Sequence, residues 1–206
     1  MPVDTVTVDN DIVLRRPSPA SAEDIYALVE ANRAYLAQWL SFMHVIHSAK
    51  DERAWIEDML ATQSARWEYP LMVLHKGVLV GMIGVQALGS RARFCEIGYW
   101  LDEEAQGRGI ITRSCRALID YVFTSEGINR VQIRAAVGNT RSRAIPERLG
   151  FSFEGVLRQA DLANGQFLDM AMYSMLANEW REQRQTATTA SHSPPKLLAK
   201  RKSTSV

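Results

Sequence analysis

Two spacings of apolar residues divide the chain. From Tyr69 to Leu101 large apolar side chains come in short β-rich runs, LMVLH, VLVGMIGVQAL and FCEIGYWL, the first two parted by Lys76 and Gly77 at hairpin spacing. These runs predict an antiparallel meander. Ahead of them, Ser21, Ala22, Glu23 and Asp24 open a helix with Ile25, Leu28, Val29, Asn32 and Leu36 on one face, and a second helix starts near Ser48 with Trp55, Ile56 and Met59 turned inward. Behind them, Ile111, Cys115, Leu118, Ile119 and Val122 recur at helical spacing between about Gly109 and Phe123. Arg130 to Val137 reads as a strand, and Thr140 to Leu149 as a helix capped by Asn139 and stopped by Gly150. Phe151 to Gln159 and Phe167 to Met175 form a last hairpin, turned at Asn164 and Gly165. Ile12 to Arg16 is an initial strand ended by Pro17, after a polar start read as loose.

Pro146 disturbs this pattern. Inside a helix that starts at Thr140 it removes the bond to the Ser142 carbonyl, at about 3 kcal/mol, and a later start with Ser142 as N-cap would relieve it. The periodic text ends near Trp180. The remainder is Thr, Ser, Ala and Gln with Lys196, Lys200, Arg201 and Lys202, and it holds six Lys or Arg against one Glu, where residues 1–180 hold 18 against 22. The expectation is a single domain over 1–180 and a basic, disordered tail over 181–206. Such a tail leaves room for a weak contact with nucleic acid, although a solubilising role is the simpler account.

A composition of 206 residues, 47% hydrophobic and 23% charged, fits one sizeable core. With no apolar run of 18 residues and no basic-then-apolar start, the chain reads as cytoplasmic, without a membrane partner. Cys95 and Cys115 lack metal or redox spacing and read as reduced and packed. His44 and His47 stand three apart without a third ligand at zinc-site spacing, so no metal is expected.

The stretch richest in chemistry follows the strand EIGYWL. Gln106, Gly107, Arg108 and Gly109 place two glycines just before a helix, where the backbone can approach a ligand closely and the first-turn N–H groups point outward. Phosphate oxygens suit that arrangement, helped by the helix dipole and by Arg108. The segment lacks the lysine of a Walker A loop and the spacing of a dinucleotide fingerprint.

The segment Gln106 to Ile111 resembles the Q/R-x-x-G-x-G/A pyrophosphate loop of the GCN5-related N-acetyltransferases (GNAT), matching at Gln106 and Gly109 and departing at Ile111. Together with EIGYWL before it and NTRSRAIPERLGFSFEGVLRQADLANGQFLDMAMYSM after it, the text resembles the branch that acetylates ribosomal proteins at serine or alanine, over roughly Ile12 to Trp180. The resemblance implies an α+β fold with a mixed, mostly antiparallel sheet of about seven strands, flanked by about four helices, whose splayed central strands form an acetyl-CoA cleft. It implies acetyl-CoA as co-substrate, held by Gln106, Gly107, Arg108, Gly109, Ile110, Ile111 and Thr112 with Asn139. It also puts Tyr35, Trp39 and Phe42 on the acceptor side. Ser142 matches the serine that protonates the departing sulfur, and Asp161 the base, with Glu154 and Glu96 as rivals. The expected reaction is direct attack by an amine on acetyl-CoA in a ternary complex, most simply by the N-terminal amine of a ribosomal protein. A small-molecule amine (antibiotic, polyamine or aminoacyl compound) and a non-catalytic acetyl-CoA-binding regulator are the alternatives. The assembly is open between monomer and homodimer.

Overall fold

The alternating runs become the strands of one sheet. In the computed structural model, which describes residues 4–66, 68–89 and 92–191, eight strands form it: β1 (Thr5–Thr7), β2 (Ile12–Arg15), β3 (Glu68–His75), β4 (Val78–Gly89), β5 (Phe94–Leu101), β6 (Arg130–Ala136), β7 (Ser152–Ala163) and β8 (Gln166–Leu176). Their order is β1-β2-β3-β4-β5-β6-β8-β7, with every pair antiparallel except β5 and β6. Both hairpin turns take two residues of positive φ, Lys76 (52°) with Gly77 (81°) and Asn164 (47°) with Gly165 (72°), which matches the right-handed twist of the flanking strands.

The parallel pair decides where a ligand fits. β5 and β6 pair only at Phe94–Arg130, Cys95–Val131 and Glu96–Gln132, although β5 runs on to Leu101 and β6 to Ala136. Beyond Glu96 and Gln132 the two strands part and leave a wedge in the sheet. The splay that the family resemblance implied is therefore present.

Side chains alternate across the sheet into two cores. Leu71, Val73, Ile83, Ile97, Ile133 and Tyr173 face α4 (Ile110–Ser125), α5 (Thr140–Arg148) and α6 (Ala177–Ser191). Met72 and Met82, a cross-strand pair, face α1 (Ala22–Ala31), α2 (Arg33–Leu36) and α3 (Ala49–Arg66). α4 buries Ile110, Ile111, Cys115, Leu118, Ile119 and Val122 along one stripe, as its spacing predicts. Cys95 and Cys115 are free and buried, and burial raises both thiols, so neither is a poised nucleophile.

Several expectations need correction. The start of the chain is not loose throughout, because β1 adds an edge strand through Thr5–Arg15, Val6–Leu14 and Thr7–Val13. The strand count is eight rather than about seven, and six α-helices rather than about four occur among the described residues. Trp55 is 38% exposed, whereas Ile56 and Met59 are buried. Residue 181 is also not where the ordered chain ends, since α6 continues to Ser191. Its anchor is Trp180, buried against Phe123 with its indole N–H donating to Asp120 at 2.6 Å. Residues 192–206, the greater part of the expected tail, lie outside the described residues.

Candidate active site

Past Leu101 the chain turns on main-chain geometry. Asp102 accepts from the Glu104 N–H, the Glu103 N–H donates to Asn32 of the opposite helical layer, and Gly107 and Gly109 then take positive φ of 75° and 68°. Gly109 is the N-cap of α4 and has no side chain to accept from the first-turn amides. A Cβ built at Gly107 or Gly109 would meet no heavy atom within 4 Å, so this backbone faces open space. The dipole of the 16-residue α4 points its positive end into the same space.

That space is a cavity of about 860 Å³ at the open end of the β5–β6 wedge. Gln106, Gly107, Gly109, Ile110, Ile111 and Thr112 line one side, and Tyr35 and Trp39 line another. α5 closes the third with Asn139, Arg141, Ser142 and Arg148. Hydrogen bonds tie these sides together. Gln106 donates to the Tyr35 hydroxyl at 2.7 Å and accepts from Arg141 at 2.7 Å, while Arg148 donates to Thr112 Oγ1 at 3.2 Å. Neither Arg141 nor Arg148 meets a carboxylate among the described residues, whereas Arg33, Arg53, Arg113, Arg130, Arg134 and Arg143 all do. Two guanidiniums that meet no carboxylate among the described residues, beside a helix N-terminus, suit the site to an anion.

Ser142 lies in the first turn of α5. The helix starts at Thr140 despite Pro146, with Asn139 Oδ1 accepting from the Ser142 N–H at 3.0 Å, so the later start with Ser142 as cap does not occur. The Tyr99 hydroxyl donates to the Ser142 carbonyl at 3.0 Å, and Ser142 Oγ donates to the Tyr99 oxygen at 3.3 Å.

Three expected residues fall outside the lining. Arg108 turns back to donate to the Glu104 carbonyl, Phe42 sits 38% exposed on a short 3-10 turn, and Asp161 lies on β7, where its carboxylate accepts the Leu162 N–H at 2.8 Å. The rival carboxylates are paired. Glu96, buried, accepts from Arg134 and Gln132. Glu154 accepts from Arg130 and Ser174, and the Arg130 guanidinium holds its carboxyl down at about 2. Asp161 has no cation partner among the described residues.

Tyr99, Arg141 and Arg148 were missed from sequence. The alternation through CEIGYWL does put Cys95, Ile97 and Tyr99 on one face, and Arg141 and Arg148 stand two helical turns apart, one face of a helix. Their convergence on one cavity depends on contacts between distant segments.

The known proteins that this chain resembles are acetyltransferases. The family model described as acetyltransferase (GNAT) domain matches residues 11–152. The putative ribosomal N-acetyltransferase YdaF of Bacillus subtilis is 41% identical over 177 residues, 85% of this chain and 97% of that protein. The structure of the ribosomal L7/L12 α-N-protein acetyltransferase RimL in complex with coenzyme A superposes with a TM-score of 0.80 at 27% identity, covering 85% of this chain and 99% of that one. The microcin C7 self-immunity acetyltransferase MccE in complex with acetyl-CoA and AMP gives 0.79 at 28% identity, covering 84% and 96%.

Proposed function

The chain belongs to the GNAT acetyltransferase family, and from that premise we propose that it transfers acetyl from acetyl-CoA to the N-terminal amine of a ribosomal protein. The observation that carries this reading is the shared cavity, in which open glycine backbone and a helix N-terminus face Ser142 across the β5–β6 wedge. Diphosphate suits the loop, with Arg141 and Arg148 adding charge. The thioester then lies along the wedge toward Ser142.

The amine nitrogen attacks the thioester carbonyl carbon, and the C–S bond breaks as the tetrahedral intermediate collapses. The sulfur leaves with a proton from Ser142, the nitrogen loses one to a base, and that proton returns through solvent to the Ser142 oxygen, so the net products are the amide and free CoA thiol with both groups restored. Asp161 is the carboxylate to test as that base. Glu154 and Glu96 are tied to arginines, and a carboxyl held near 2 is a weak base at neutral pH.

Likeness to YdaF and RimL favours a protein acceptor, while likeness to MccE, solved with acetyl-CoA and AMP, favours a small-molecule acceptor. CoA release measured on peptides with free or blocked N-termini and on small amines separates the two. Turnover confined to free N-terminal peptides is the expected result, turnover confined to small amines selects the second, and no turnover on either leaves a binding protein. With the acceptor in hand, Ser142→Ala should lower kcat by roughly 10 to 10⁴ fold with acetyl-CoA affinity unchanged. The Asp161→Asn defect should shrink as pH rises, because the amine is then neutral without help, and a flat profile would remove Asp161 from the mechanism.

A further inference from the structure

Pro146 leaves a backbone acceptor open, and the open acceptor leads to Tyr99. In an unbroken helix the N–H of residue 146 would donate to the carbonyl of Ser142, but proline has no N–H. The phenol of Tyr99, 43 residues away in sequence, donates to that carbonyl instead. Its oxygen also accepts the Ser142 hydroxyl, and the Ser142 N–H is held by Asn139. Every polar group of Ser142 thus has a partner, and two of the three partners are the same phenol. We propose that Tyr99 is a positioning residue that fixes the backbone and hydroxyl of Ser142 for protonating the leaving thiolate, and that Pro146 keeps the Ser142 carbonyl free for it. This deepens the proposed reaction and rests on its assignment of Ser142.

The geometry favours holding over relaying a proton. Tyr99 stands on β5 three residues beyond the last β5–β6 pair, so its side chain crosses the open wedge from a fixed strand to α5. Its own proton is committed to a carbonyl, not to Ser142 Oγ. A relay would leave a phenolate, and burial pushes the Tyr99 phenol upward, with the nearby Arg148 charge only partly offsetting it. Holding leaves the phenol itself neutral. As charge grows on sulfur, the Ser142 hydroxyl has only to rotate about its Cβ–Oγ bond while the carbonyl stays bound.

The test is a double-mutant cycle on kcat, with acetyl-CoA affinity by calorimetry and melting temperature as checks on folding. Tyr99→Phe removes both hydrogen bonds to Ser142 and should lower kcat about tenfold, with acetyl-CoA affinity within about twofold of wild type. On a Ser142→Ala background the same change should do almost nothing, because nothing is left to position. Pro146→Ala restores an N–H that competes for the Ser142 carbonyl. It should melt higher than wild type yet turn over several-fold more slowly. An equal tenfold loss from Tyr99→Phe with or without Ser142 would overturn the proposal, since a merely structural tyrosine behaves that way. Wild-type kcat in Tyr99→Phe, with Ser142→Ala impaired, would overturn the tyrosine's role and leave the serine's standing. Wild-type kcat in Ser142→Ala would overturn both.

Discussion

Two walls of the cavity, those of α4 and α2, are made of different material. The α4 side presents main chain: positive-φ glycines and first-turn amides that no side chain caps. The α2 side presents side chains, Tyr35 and Trp39, carried on short helical turns between α1 and α3. A main-chain wall at a helix N-terminus suits phosphates, which acetyl-CoA brings whatever the acceptor, whereas a side-chain wall can change its shape with the acceptor. The difference explains why the cofactor follows readily from this chain and the acceptor does not.

The strongest way to break the comparison is to put a side chain into the main-chain wall. Gly109→Asp places a carboxylate where the backbone faces open space, and its Cβ meets no protein atom, so the protein should fold at a modest cost for a positive φ. A bound diphosphate then lies beside a like charge. At about 4 Å and a surface-like dielectric this repulsion is worth about 4 kcal/mol, or roughly a thousandfold in acetyl-CoA affinity. Gly109→Asn separates charge from bulk and should lose far less. Calorimetry showing unchanged affinity in folded Gly109→Asp would remove the loop from the phosphate site.

The helical layers behind the walls also differ in what they bury. The layer of α4 encloses neutral Ser114 and Cys115, while α3 encloses Glu52, 5% exposed, whose carboxyl burial pushes up to about 7. A carboxyl raised in the folded state binds a proton that the unfolded chain has already lost, so stability falls as pH rises from about 4.5 to 7 and stays low above it. Glu52→Gln should remove that slope, raising stability at pH 8 by about 2 to 3 kcal/mol and leaving it nearly unchanged at pH 4. Denaturant melts at both pH values check it. Parallel losses or gains at the two would show that Glu52 is not titrating with folding.

What could be read from sequence follows the same division. Both two-residue hairpins, the stripe of α4 and the glycine loop were legible because turn chemistry and helical period are local. Asn139 was legible as a cap for the same reason, and its side chain does cap α5. β1 was not, since three polar-flanked residues become a strand only by pairing with β2. α6 was not read at all because its composition is polar, and its order depends on Trp180 reaching Asp120 and Phe123. In β7, Gln159 takes a positive φ at a bulge that shifts the register ahead of Asp161, and no glycine marks the place. The Tyr99–Ser142 pair is invisible for the plainest reason: 43 residues separate the two, and only the tertiary fold brings them together.

The smallest expected effect falls where the walls touch. Gln106 joins them, donating to Tyr35 on the proposed acceptor side and accepting from Arg141 on the proposed cofactor side. Tyr35→Phe removes one hydroxyl and keeps the ring, so the acceptor wall loses little surface and the Gln106 amide loses one partner. A neutral hydrogen bond at this partly exposed position is worth about 1 kcal/mol or less. If the walls act independently, Tyr35→Phe should raise the acceptor KM alone. If Gln106 couples them, acetyl-CoA affinity should fall as well, by about threefold, and the loss should vanish in a Gln106→Ala background, where there is no bridge left to weaken. The bridge predicts the second outcome. An acceptor-only defect would show that the 2.7 Å contacts on either side of Gln106 carry no energy from one wall to the other.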